Sequence, residues 1–158
     1  MAEQLSKEII DAINDKNSIV VLSAVGKDGN PYSEVGVKVK VRGDGRIAYY
    51  ELLESSQTQK NLVYSIWNDR EVSIIVAASN QKNYLIQGKP YRALIAGREF
   101  EKEYVEAQAE FGKDTDLSTV WLIDVTDYSE NTYREGRKRE RQEHPLLMHL
   151  DHIFKEAE

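Results

Sequence analysis

The chain has 158 residues, of which 30% are charged and 41% hydrophobic, with a formal net charge of -6 and no cysteine. That length suits one domain with a real core and excludes two ordinary ones, and the net charge disfavours a general nucleic-acid binder. No apolar run is long enough to cross a bilayer, and without cysteine there is neither a disulfide framework nor a thiol nucleophile, so a reducing cytoplasm is the expected setting.

In chain order, "AEQLSKEIIDAIND" is charged and amphipathic rather than a signal peptide. It predicts a helix over about Ser6 to Asp15, capped by Ser6, with Ile9, Ile10 and Ile13 on one face. "SIVVLSAV" is β-branched and reads as a strand, and Asp28-Gly29 is a hairpin turn. "YSEVGVKVKV" alternates from Val35 to Val41 as a second strand. Asp44-Gly45 marks the next turn, and "IAYYELL" is a third strand that pairs with the second.

"TQKNLVYSIWN" predicts a helix starting near Ser56 to Thr58, with Leu62, Ile66 and Trp67 on its apolar stripe. "EVSIIVAA" and the long "NYLIQGKPYRALIA" follow as strands, Gly88 and Pro90 marking a bulge or bend. "REFEKEYVEAQAEFG" is a helix ended by Gly112, and "LSTVWLIDVTDY" is the last strand. The segment from Arg134 to Glu158 reads as helical. Six strands in mostly antiparallel order with helices between them predict a mainly β, α+β fold: a small six-stranded antiparallel barrel with flanking helices, over 1–130, and a helical tail over 131–158.

The junction "LLESSQTQKNL" gathers the hydroxyls of Ser55, Ser56 and Thr58 and the ammonium of Lys60 where helix amides are unpaired, a place that attracts phosphate. Plain helix capping by Ser56 or Thr58, with Lys60 in water, explains the same residues.

The succession of an amphipathic helix, "AVGKDGNPYSEV", "GRIAYYELL", "SSQTQKNL", "EVSIIV" and "NYLIQGKPYRAL" resembles the pyridoxamine 5'-phosphate oxidase-like, FMN-binding split-barrel family, over roughly Ser6 to Tyr128. The resemblance implies a homodimer with FMN in a groove between subunits. It assigns the flavin phosphate to Ser55, Ser56, Thr58 and Lys60, and it runs the third strand, Tyr49 to Leu52, beside the isoalloxazine, with backbone groups of Tyr50, Glu51 and Leu52 offered to its polar edge. It also brings Gln87 and Trp121 near the ring or ribityl chain. "NLVYSIWNDREV" is about one helical turn longer than the family's usual run, and the junction has one basic residue where many members have more.

The implied function is an FMN-dependent oxidoreductase acting on a small substrate. A flavin protein without turnover, serving electron transfer, storage or sensing, and a member binding the deazaflavin F420 are the alternatives. No catalytic triad or carboxylate pair is legible, which fits chemistry carried by a cofactor. His144, His149 and His152 are the only histidines. The latter two stand at i and i+3 with no third ligand specified, so no metal is expected. Their apolar neighbours Leu147, Leu150, Ile153 and Phe154 predict a tail docked on the barrel or the partner subunit. "REGRKRER" is diluted by Glu135 and Glu140 and reads as a solvated face.

Overall fold

The computed structural model describes residues 4–145. Helix α1, Lys7–Asn14, is capped by Ser6, whose side chain accepts from the Ile9 amide, and it buries Ile9 and Ile13. Strands β1, Ile19–Val25, and β2, Pro31–Val35, form the first hairpin, with Gly29 at φ 78° in its turn. Strands β3, Val39–Val41, and β4, Ile47–Glu51, form the second, with Gly45 at φ 84°. Helix α2 is Gln57–Trp67 and is followed by β5, Val72–Ala77, and β6, Asn83–Leu94. Helix α3, Arg98–Phe111, ends at Gly112 with φ 112°. Strand β7, Thr119–Glu130, and helix α4, Tyr133–Glu143, complete the described chain.

The strands make one antiparallel sheet in the order β2-β1-β5-β6-β7-β4-β3. There are seven rather than six, because the predicted second strand breaks at Gly36. On one side of the break the Gly36 amide still donates to Val20 O at 2.8 Å, and on the other Lys38 O already accepts from the Tyr50 amide at 3.1 Å. The first and last strands of the sheet are therefore joined by three residues, and the sheet curls until its ends meet there. A Cβ on Gly36 would lie 2.6 Å from Val39 Cγ2 and 3.0 Å from Tyr49 Cε2, so this crossing needs a residue without a side chain.

Alternation sorts the side chains into two apolar groups. Inside the curl, Val20, Leu22, Ile47, Tyr49, Ile74, Ile86, Trp121 and Ile123 pack with Ile9, Ile13 and Leu62 from the helices. Outside it, Ala48, Tyr50, Leu94, Val120 and Leu122 pack against Ala107, Phe100 and Tyr104 of α3. Register shifts at Gln87/Gly88 and Pro90/Arg92 place the irregularity of β6 where Gly88 and Pro90 predict it.

Two expectations need correction. Trp67 is 82% exposed, whereas Leu62 is fully buried and Ile66 packs on the core. Five residues advance a helix by about 140° beyond a full turn, which carries Trp67 off the stripe set by Leu62. The third strand ends at Glu51, so Leu52 and Leu53 belong to the connection. Of the predicted tail, α4 is described and has no buried residue; the docking of Leu147 to Phe154, and with it His149 and His152, lies outside the described residues.

Candidate functional site

The start of α2 sits against the mouth of the curled sheet. Ser56 is the N-cap: its hydroxyl accepts from the Gln59 amide at 2.9 Å, which commits it to the helix. Ser55 is exposed one residue earlier, and Lys60 is exposed one turn further on, with no ion-pair partner among the described residues. The amides of Gln57 and Thr58 head the helix, where no intrahelical acceptor exists. Thr58 is committed to β2. It is 1% exposed, and its hydroxyl donates to the Glu34 carboxylate of β2.

Glu34 is the residue that sequence reasoning misses. In "PYSEV" the apolar Val35 would be taken as the inward residue, yet Val35 is 59% exposed and Glu34 pairs with the buried Leu22, so β2 turns its carboxylate inward. Glu51, next to the junction on β4, is 4% exposed. Its Oε1 accepts from the Leu53 amide at 2.9 Å, and its Oε2 is buried without a partner among the described residues. Burial, together with the carboxylates of Glu34 and Glu51, pushes the Tyr49 phenol well above its ordinary value. Both acids therefore act on one buried hydroxyl at the sheet mouth.

Behind them, α2 is fastened to the sheet by amide side chains. Gln59 Oε1 accepts the Trp121 indole N–H at 2.7 Å and its Nε2 donates to Thr119 Oγ1 at 3.0 Å. Asn61 Nδ2 donates to Ala24 O at 3.3 Å, and Asn61 Oδ1 accepts from Gln57 Nε2 at 2.8 Å. A Cβ on Gly26 would lie 2.3 Å from that Oδ1, so glycine is required where α2 meets the end of β1.

The sequence-predicted residues are thus partly gathered and partly dispersed. Ser55, Ser56, Thr58, Lys60 and Glu51 share the junction. Tyr50 faces the opposite side of β4, where its hydroxyl donates to Glu103 of α3, and Leu52 packs on that same outer cluster. Trp121 is 2% exposed and held in the core by Gln59, so its ring is not a free surface in this chain. Gln87 is half-buried on the outer face of the sheet, in register with Ser73 and Asp127. Much of the β4 backbone is already paired: Tyr50 N donates to Lys38 O, and Glu51 O accepts from Ser118 N at 3.0 Å.

No protein-family model matches the sequence, and no curated protein matches it. Solved structures do. HupZ of Group A Streptococcus superposes with a TM-score of 0.68 at 19% identity, over 82% of this chain and 96% of that one. An FMN-binding protein of Syntrophomonas wolfei gives 0.61 at 13% identity, over 79% and 87%. HutZ, the haem storage protein of Vibrio cholerae, gives 0.57 at 13%, over 84% and 99%. The chain has the split-barrel fold.

Within the split barrel, the fit of a flavin phosphate rests on the donor set at α2. Ser55, the Gln57 and Thr58 amides and Lys60 supply donors and one cation at an exposed edge, and that edge suits an anion. Glu34 and Glu54 oppose it with negative charge. The residues present fit the group on the solvent side of the helix start, with Thr58 withheld by Glu34. Among the described residues no cluster of three metal-ligating side chains occurs, and His144 is an exposed C-cap of α4. No helix among the described residues is long and apolar enough to cross a membrane.

Proposed function

We propose that this split barrel binds FMN, with the flavin phosphate at the start of α2, and that it serves as a flavin-dependent oxidoreductase for a small substrate. The observation that carries the reading is the set of donors at the α2 start that are uncommitted among the described residues, Ser55 and Lys60 beside two helix amides, on a fold that also occurs in an FMN-binding protein. When bound, FMN supplies hydride or electron transfer. The chain's own part is to anchor the phosphate with Lys60 and Ser55 and to keep the sheet mouth closed to water through Gln59, Asn61 and the buried Thr58. A chain without cysteine suits a reducing cytoplasm.

The same reading includes a homodimer. Ile19, Val25 and Val35 on the outer face of β1 and β2 are 55%, 44% and 59% exposed. Val35, Val21, Ile75 and Leu85 stand in register across four neighbouring strands, giving an apolar row that belongs to neither buried cluster of the described residues. Such a surface suits a second copy.

The deciding experiment is to release the ligand from natively purified protein and determine its mass, then titrate FMN into the apoprotein and its Lys60→Ala variant. Loss of one charge-assisted contact, about 1.5 kcal/mol, predicts roughly tenfold weaker binding. Unchanged affinity would move the phosphate elsewhere. A preparation that holds FMN yet passes no electrons to any acceptor would narrow the reading to flavin carriage.

A further inference from the structure

The hydrogen bond between Thr58 and Glu34 joins α2 to β2 and does not cap the helix, whose N-cap is Ser56. Thr58 is buried at the second position of α2, where its hydroxyl is a ready donor to an anion. Instead that hydroxyl donates to a carboxylate supplied by β2, 24 residues earlier in the chain. A second acid, Glu51, lies at the same mouth with one oxygen buried and unpartnered among the described residues, and both acids bear on Tyr49. The interior side of the junction is therefore already supplied with negative charge, and the Thr58 hydroxyl is taken.

We infer that Glu34 is a specificity-determining residue that competes with a ligand's phosphate for Thr58 and so disfavours dianionic ligands at the start of α2. The inference rests on the flavin reading above and deepens it. A phosphate seated by Lys60 and Ser55 gains no bond from Thr58 while Glu34 holds it, and it is repelled by the carboxylate across the helix turn. A flavin lacking the phosphate meets no such opposition. The pair thus narrows the affinity gap between FMN and riboflavin, and a neutral side chain at position 34 widens it.

The test is fluorescence titration of FMN and of riboflavin against wild type, Glu34→Gln and Glu34→Asp, with thermal unfolding of each measured with and without inorganic phosphate. Glu34→Gln is expected to tighten FMN about tenfold, the scale of one charge-assisted contact, with riboflavin changed less than about twofold. Glu34→Asp, which keeps the charge, should fall nearer to wild type. Adding Thr58→Val to Glu34→Gln should cancel the gain. If both flavins bind and their affinity ratio is the same in wild type and Glu34→Gln, the inference is overturned and the flavin reading stands. If neither flavin binds any variant, the flavin reading falls. Phosphate then judges Glu34 alone: protection of Glu34→Gln but not wild type against unfolding supports competition, and equal protection or none in both overturns it.

Discussion

Gln59 holds Trp121 and Thr119 with the two ends of one amide: its oxygen accepts the buried indole N–H and its nitrogen donates to the threonine hydroxyl. This single side chain orients α2 on β7. Gln59→Leu removes both partners and leaves the indole N–H unpaired in a core position, at a cost of about 1–3 kcal/mol. Urea unfolding should show that loss, with a shift in tryptophan emission at low denaturant. A variant as stable as wild type would mean that water replaces the amide.

Helix α3 docks on β3 through a ladder of charges. Arg42 meets Glu99 at 2.5 Å, Lys40 meets Glu103 at 2.8 Å and Glu106 at 3.2 Å, and Lys38 meets Glu110 at 2.7 Å. Burial pushes the Glu103 carboxyl up, but the Lys40 ammonium and Tyr50 hydroxyl outweigh it and hold the group below its ordinary 4.5. A depressed carboxyl stabilises the fold above its unfolded value and loses that contribution as pH falls through the folded one. Lys40 is shifted upward from 10.5, so its contribution is present below that pH and is lost only as pH rises beyond it. Glu103→Gln should therefore cost about 2 kcal/mol across neutral pH, with the difference from wild type shrinking below pH 4.5. A difference independent of pH into the acid range would show the side chain to act through packing alone.

Gly88 sits where a Cβ would lie 2.6 Å from Asp124 O and 2.7 Å from Ile123 Cγ2. A backbone carbonyl cannot step aside as a flexible side chain can. Gly88→Ala should destabilise by about 1–3 kcal/mol through overpacking, read as a lower denaturation midpoint with an unchanged slope.

The exposed row on β1 and β2 predicts a self-associating face. Light scattering at micromolar concentration should give twice the 18.1 kDa chain mass, and Val35→Glu should return it to one chain. Wild type that runs as a monomer with flavin still bound would rule out a groove shared between subunits.

The hairpins were legible because their turns carry Asp-Gly, and α1 because Ser6 precedes an amphipathic run. Gly88 and Pro90 marked the irregular strand for a local reason, since neither residue suits an uninterrupted ladder. What the sequence hid is long-range. Nothing within "PYSEVGVKVKV" says that its two halves pair with different neighbours, and the inward turn of Glu34 against an outward Val35 reverses the apolar rule. Ser55 and Lys60 are exposed on either side of the Ser56 N-cap of α2. The Tyr50 side chain turns to the outer face of β4, because one residue along a strand changes the face, and its partner Glu103 is 53 positions away.

The three-residue bridge from Gly36 to Lys38 also bears on how the chain folds. The β1–β2 and β3–β4 hairpins are each local and can form within microseconds, before the distant pairings of β1 with β5 and β4 with β7. So short a bridge leaves no slack between them, and a slip of one residue in either hairpin would drag the other out of step or tear the bonds at Val20 and Tyr50. Each hairpin thereby proofreads the alignment of its neighbour, and misaligned intermediates should be rejected early rather than trapped. A glycine-rich insertion at Val37 would remove that check. The expected signature is a slow refolding phase absent from the wild type, with little change in the final fold.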